Sequence, residues 1–194
     1  MKPDKENRRE RIRRAAYECF RDHGYYPSTV DMVCRGAGVS KGSFYWYFSS
    51  KQEVFIDILE TWTQEVVEQM RQQFKNVGVS EDPVGTICQS LMRESRRGRA
   101  IVNMWVEFTA AAAREPEVKD ALRRFHKNIR ETVTEILRPV FSDRLSETDL
   151  KAVSAAIFAA YSGLLVQDMA DSESGEVIEA LTHLMHALRQ WAPA

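Results

Sequence analysis

The chain is poor in most of what an enzyme or a membrane protein would need. Its three cysteines, Cys19, Cys34 and Cys88, stand far apart and no Cys-x-x-Cys occurs. That spacing speaks against a zinc ribbon and against a redox pair. An odd cysteine count without an export signal fits a reducing cytoplasm. The basic N-terminus is not followed by an apolar core segment, so no secretory signal is expected. No run of about 18 apolar residues is present, so no membrane span or membrane partner is expected. GxSxG, HExxH, the P-loop and GxGxxG are all missing, and with them the commonest hydrolase, metalloprotease and nucleotide signatures. Gly36-Ala37-Gly38 is glycine-rich, but no strand precedes it and only a short helix follows. His183 and His186 stand at i, i+3, yet two ligands do not make a metal site. No catalytic residue, metal or cofactor is therefore expected.

Alternating β-branched patterning is also scarce, and Pro and Gly fall between segments of helical period. The expected fold is all-α, with about nine helices. The apolar spacing of Ile12, Ala15, Ala16, Cys19 and Phe20 predicts a first helix over 5–23, stopped by Gly24. Ser28-x-x-Asp31 reads as the cap of a second helix ending at Gly36-Ala37-Gly38. A short third helix follows from Ser40 to about Trp46. Ser50-x-x-Glu53 is a capping box opening a long helix to about Lys75. Five further helices fit 83–97, 100–114, 117–141, 147–170 and 176–191, with Pro139 and Ser142 supplying one of the breaks. The domain organisation expected is 1–51 as a three-helix DNA-binding unit and 52–194 as a helical bundle for sensing and dimerisation.

Charge divides the same way. The whole chain carries a formal −1, but residues 1–51 hold eleven Lys and Arg against six Asp and Glu, a net +5, leaving −6 for the rest. Such asymmetry marks a nucleic-acid-facing segment, or else a solvated arginine-rich helix face.

The stretch from Ser28 to Lys51 carries the function. Two short helices joined by a tight glycine turn form a helix-turn-helix signature. Gly38 stands where positive φ is needed. The third helix, Ser40-Lys41-Gly42-Ser43-Phe44-Tyr45-Trp46-Tyr47-Phe48, places Phe44 and Phe48 on one face, to pack inward. The other face offers Lys41, Gly42, Ser43, Tyr45, Trp46 and Tyr47. A lysine neutralises phosphate, hydroxyls bond phosphate oxygens, and aromatics lie on sugar and thymine methyls. Gly42 removes bulk at the groove. Lys51, at the first position of the long helix, adds charge to a helix N-terminus that already favours anions.

These residues resemble the DNA-binding pattern of the TetR family of repressors. The match runs through Gly24-Tyr25, Ser28-Thr29-Val30, Ala37 to Phe48 and Lys51, within residues 10–55. The resemblance implies that Thr29 is a phosphate contact, that Lys41, Gly42 and Ser43 form the base-proximal end of a recognition helix, and that Tyr45, Tyr47 and Lys51 anchor the backbone; Ser40 is a further DNA-binding candidate. Trp46 would touch or pack on the backbone. Met32 and Gly36 depart from the family's usual residues. Trp105-x-Glu107-Phe108, the alanine run to Ala113 and Arg114-Glu115-Pro116 resemble the BetI-like subgroup.

The partners expected are a double-stranded operator, a second copy of the chain and a small hydrophobic or amphipathic effector. Ala155, Ala156, Ala159, Ala160 and Gly163 are small enough for close helix packing; with Leu181, Leu184 and Leu188 they make the expected dimer face. Trp62, Met70, Trp105, Phe108 and Phe125 are the candidate effector-pocket residues, each open to the alternative that it is core. The competing readings are a helical protein-interaction module without DNA binding, and an enzyme of unrecognised type.

Overall fold

The computed structural model describes residues 3–87, 99–141, 144–170 and 176–191, and every regular element among these is helical. In chain order they are α1 (Pro3–His23), α2 (Val30–Ala37), α3 (Lys41–Tyr47), α4 (Lys51–Gln73), a single 3-10 turn (Val77–Val79), α5 (described over 83–87), α6 (Arg99–Ala112), α7 (Pro116–Phe141), α8 (Glu147–Ala170) and α9 (Glu176–Trp191).

The described residues divide into two compact units. One is Met1–Gln64 with Asn103–Phe125; the other is Glu65–Val102 with His126–Ala194. In this division the first fourteen residues of α4, 51–64, and the distant segment 103–125 fall with the N-terminal helices.

The first unit is organised by rings. α1 buries Ile12, Ala15, Ala16, Cys19 and Phe20, the stripe that helical period makes of those positions. Phe55 of α4 is fully buried at the centre. Its ring meets Phe20 edge-on at 5.3 Å and stacks on Tyr25 at 4.1 Å and on Phe108 at 4.0 Å. Each fully buried ring contributes about 1.5–3 kcal/mol by leaving water, and each pair about 0.5–1.5 kcal/mol more.

Two glycines set the connections. Gly24 ends α1 at φ 81° and Gly38 ends α2 at φ 62°. At Gly38 the amide of Val39 bonds the Cys34 carbonyl at 3.0 Å and that of Gly38 bonds Arg35 at 3.2 Å, the paired closure of a Schellman motif. The cap of α2 is one residue later than the sequence suggests. Thr29 accepts the Met32 amide at 3.3 Å. Ser28 is buried instead, its hydroxyl donating to the carbonyls of Gly24 at 2.7 Å and Cys19 at 3.2 Å. Ser28 thereby ties the turn back onto the end of α1.

The second unit has a plain apolar core: Phe74, Ile136, Phe141, Leu150, Leu181 and Met185 are among its buried members. Pro139 does not break α7, which runs on to Phe141. Its ring lies so close to the 3-10 turn that a Cβ added at Gly78 would sit 2.7 Å from Pro139 Cβ. Only glycine permits that approach.

Candidate nucleic-acid interface

Helix α3 is seven residues long and is fixed at both ends. Ser40 caps it, its hydroxyl accepting the Ser43 amide at 3.1 Å. Phe44 and Phe48 anchor the inner face and are buried completely or nearly so. With these two rings inside, the 3.6-residue period turns Lys41, Gly42, Tyr45 and Trp46 outward. All four are exposed, Trp46 to 72% and Tyr45 to 54%. Ser43 and Tyr47 are half-buried at the margins. Thr29 is exposed at the start of α2, with its side-chain oxygen engaged as the cap. A Cβ placed on Gly42 would come no closer than 3.9 Å to Ser40 Oγ, so its glycine leaves the outer surface low rather than relieving a contact within the fold.

Lys41 is not a bare cation. Its ammonium pairs with Asp31 Oδ1 at 2.7 Å, across the two helices of the motif. The hydrogen bond and charge of Asp31 raise the lysine above its ordinary value.

Lys51 opens α4 as expected, but its side chain is already engaged. Rather than standing free for phosphate, its ammonium donates to the carbonyls of Tyr25 at 2.7 Å, Ser28 at 3.0 Å and Tyr26 at 3.2 Å. It also lies 4.4 Å from the centre of the Tyr25 ring. An ammonium has three donors, and all three are taken by the loop between α1 and α2. The carbonyls of that loop have no helical partner, and burial of the lysine lowers its pKa. Lys51 is a clasp on the turn. At the same helix start, the Glu53 amide bonds Ser50 Oγ at 3.0 Å while its carboxylate accepts from the Ser49 amide.

A second polar cluster went unassigned in the sequence. The Tyr25 amide donates to Glu107 Oε2 at 2.9 Å and its hydroxyl to Glu115 Oε2 at 2.9 Å. Gln52 donates to the same Glu115 oxygen at 2.9 Å and to Glu117 at 3.2 Å. The Arg114 guanidinium lies 5.4 Å from the Tyr26 ring centre. Burial and the Glu115 bond push the Tyr25 phenol well above its usual range. The segment 103–125 thus meets the turn between α1 and α2 through Tyr25 and Tyr26. The signal was present as Glu107 and Glu115 within a patterned stretch, but their partner lies 82 and 90 residues away.

The candidate pocket residues do not form one group. Phe108 is fully buried and stacked on Phe55, so it is core of the first unit. Met70 belongs to the second unit and packs against its core. Trp62 stacks on Phe125 at 5.1 Å, and its Nε1 is buried with no hydrogen-bond partner among the described residues. Trp105 is half-buried.

The expected dimer residues also divide. Ala156, Ala159 and Leu184 are exposed; Ala155, Ala160 and Gly163 are half-buried. A Cβ at Gly163 would meet nothing within 4 Å. Leu181 is 1% exposed in the core of the second unit and is unavailable to a partner, because α9 uses that face to cover α8. The side chain of Leu188 lies outside the described residues. By length and composition, α8 over 147–167 is the one described helix that could cross a membrane, with 17% of that stretch buried.

Comparison with known proteins fits this geometry. Residues 12–58 match the family model for bacterial regulatory proteins of the tetR family, and residues 81–192 match that for the C-terminal domain of BetI-type transcriptional repressors. The HTH-type transcriptional regulator UidR of Escherichia coli K12 is 28% identical over 138 residues, 71% of this chain and 68% of that protein. The HTH-type transcriptional regulator HbdR of an Aromatoleum strain is 29% identical over 157 residues, 79% of this chain and 60% of that protein. Among solved structures, Salmonella enterica GusR superposes with a TM-score of 0.78 at 20% identity, covering 98% of each chain. A transcriptional regulator from Pseudomonas aeruginosa PAO1 superposes with a TM-score of 0.83 at 15% identity, covering 99% of this chain and 94% of that one.

Proposed function

Since the chain belongs to the TetR family of DNA-binding transcriptional regulators, we propose that it acts as a cytoplasmic homodimeric repressor, seated on a palindromic operator and released by a small hydrophobic or amphipathic molecule. The observation that carries this reading is the two-sided build of α3. Its inner face is buried through Phe44 and Phe48, and its outer face exposes Lys41, Gly42, Tyr45 and Trp46. A seven-residue helix buried on one side and aromatic on the other suits a major groove.

In this reading Lys41, Gly42 and Ser43 meet base edges, and Ser40, Thr29, Tyr45, Trp46 and Tyr47 meet the sugar-phosphate backbone. Lys51 serves indirectly, by shaping the turn behind them. Two copies must place their α3 helices about 34 Å apart along the duplex. The face of Ala155, Ala156, Ala159, Ala160, Gly163 and Leu184 is the surface on which the copies would meet. It is apolar, open and built of small residues, which favours close helix packing. That use also accounts for an apolar, exposed α8 without a membrane.

The effector reading is supported by Trp62. A buried indole N–H without a partner, stacked on Phe125, suits a flat apolar molecule carrying one acceptor. Release requires that the effector bind more tightly to a conformation whose two recognition helices fit the operator poorly.

The test is in-vitro selection of bound duplexes, followed by titration with salt and a screen for compounds that release the selected DNA. The expected result is a palindrome bound with steep salt dependence. Recovery of no common sequence, or binding indifferent to salt, would remove this reading.

A further inference from the structure

The Asp31–Lys41 pair stands out because it sets a carboxylate on a surface that must approach a polyanion. Asp31 lies in the first turn of α2 and Lys41 is the first residue of α3. Their charged atoms are 2.7 Å apart, and both side chains are about half exposed, 49% and 61%. The pair sits beside Thr29, Ser40 and Gly42, all of them exposed. A carboxylate there repels phosphate and occupies the ammonium that would otherwise neutralise one. Sequence-independent affinity comes almost wholly from such neutralisation. Base edges, by contrast, are read by directed hydrogen bonds.

We propose that Asp31 is a specificity-determining residue: it holds and neutralises Lys41, so that the recognition helix gains little from random phosphates and is rewarded only where a base edge or a well-placed phosphate draws the lysine away or accepts the pair as it stands. The residue contributes discrimination by lowering binding to the wrong sequence. An aspartate in the first turn of a helix also complements the helix dipole. That stabilising role alone would predict no change in discrimination when the charge is removed, which separates the two.

The proposal rests on α3 docking against a duplex, and the experiment keeps the two apart. Wild type, Asp31→Asn, Lys41→Met and the double variant are titrated against a duplex recovered by in-vitro selection and against a scrambled duplex of equal length, over a range of salt. Thermal unfolding is followed in parallel to confirm that each variant is folded. Asp31→Asn is expected to bind the scrambled duplex about three- to tenfold more tightly, with a log–log salt slope steeper by about 0.9, the contribution of one released phosphate counterion. Its ratio of selected to scrambled affinity falls. In the Lys41→Met background the same change has little effect, because there is no lysine left to free. If Asp31→Asn leaves the scrambled duplex and its salt slope unchanged, the proposal is wrong. If the gain persists without Lys41, the effect is simple removal of surface charge and the proposal is equally wrong. If wild type binds neither duplex in a salt-dependent way, the docking of α3 itself is refuted.

Discussion

Both compact units are built on an apolar core, and the first adds a set of directed bonds around one turn. In the first, Lys51 bonds three carbonyls of one turn, and Tyr25 is tied to Glu107 through its amide and to Glu115 through its hydroxyl. In the second, the core includes Phe141, Leu150 and Met185, and Arg71–Glu135 and Arg138–Glu147 are exposed ion pairs. Apolar packing is non-directional and tolerates small shifts. Directed hydrogen bonds do not, and a helix that must enter a groove needs its position fixed to a fraction of an ångström. The difference teaches where this molecule needs accuracy and where it needs only cohesion.

The strongest way to press that comparison is to open a cavity in each unit. Phe55→Ala is expected to cost about 3–5 kcal/mol and Leu150→Ala about 2–5 kcal/mol in thermal or denaturant unfolding. At a temperature where both variants remain folded, only Phe55→Ala should weaken DNA binding sharply, because Tyr25 rests on that ring. Equal loss of DNA binding in both would mean that the units are not separable in function.

Next in size is Ala159→Glu on exposed α8. If the proposed dimer face is used, a carboxylate introduced there from each copy should weaken association by about 3 kcal/mol. Sedimentation would then show a monomer with an intact fold. A persistent dimer would place the interface elsewhere.

Lys51→Met comes third. Loss of three bonds from a charged donor should lower stability by about 1.5–3 kcal/mol. DNA affinity should fall as well, but the salt slope should keep its wild-type value, since the ammonium is committed to carbonyls. A slope shallower by about 0.9 would restore a direct phosphate contact.

The capping residues give a smaller effect. Thr29→Ala should cost about 1 kcal/mol by leaving the Met32 amide unbonded.

The smallest effect is a pH dependence in the second unit. His126 is half-buried near Phe158, and burial, with Arg130 adding to it, holds its pKa below the ordinary 6.5. A depressed folded value stabilises the fold above the unfolded pKa, and that contribution is lost as pH falls through the folded value. Stability should therefore decline between about pH 7 and pH 5, and His126→Gln should flatten that decline.

Much of the first unit could be read without coordinates because its determinants are local. Gly24 and Gly38 announce positive φ, and Phe44 and Phe48 announce the inner side of a short helix. What escaped were determinants set by distant partners. Ser28 and Thr29 are both competent caps, and the choice was made by the carbonyls of Gly24 and Cys19. Lys51 has every mark of a phosphate ligand until its neighbours 23 to 26 residues away are seen. Glu107 and Glu115 acquire meaning only through Tyr25. In the second unit, Leu181 and Leu184 look alike in sequence, yet one is core and the other is exposed. Pro139 stands in the last turn of α7, where few helical bonds remain to be lost, and its close packing against Gly78 joins positions 61 residues apart that the sequence does not pair.

The position of Trp46 gives the molecule a built-in optical probe. An indole 72% exposed at the tip of the recognition helix should emit at long wavelength and be quenched readily by iodide. Trp62, stacked on Phe125, should respond less. Docking on a duplex would shield the outer indole, so the iodide-quenchable part of the emission should fall on DNA binding, and Trp46→Phe should abolish that change.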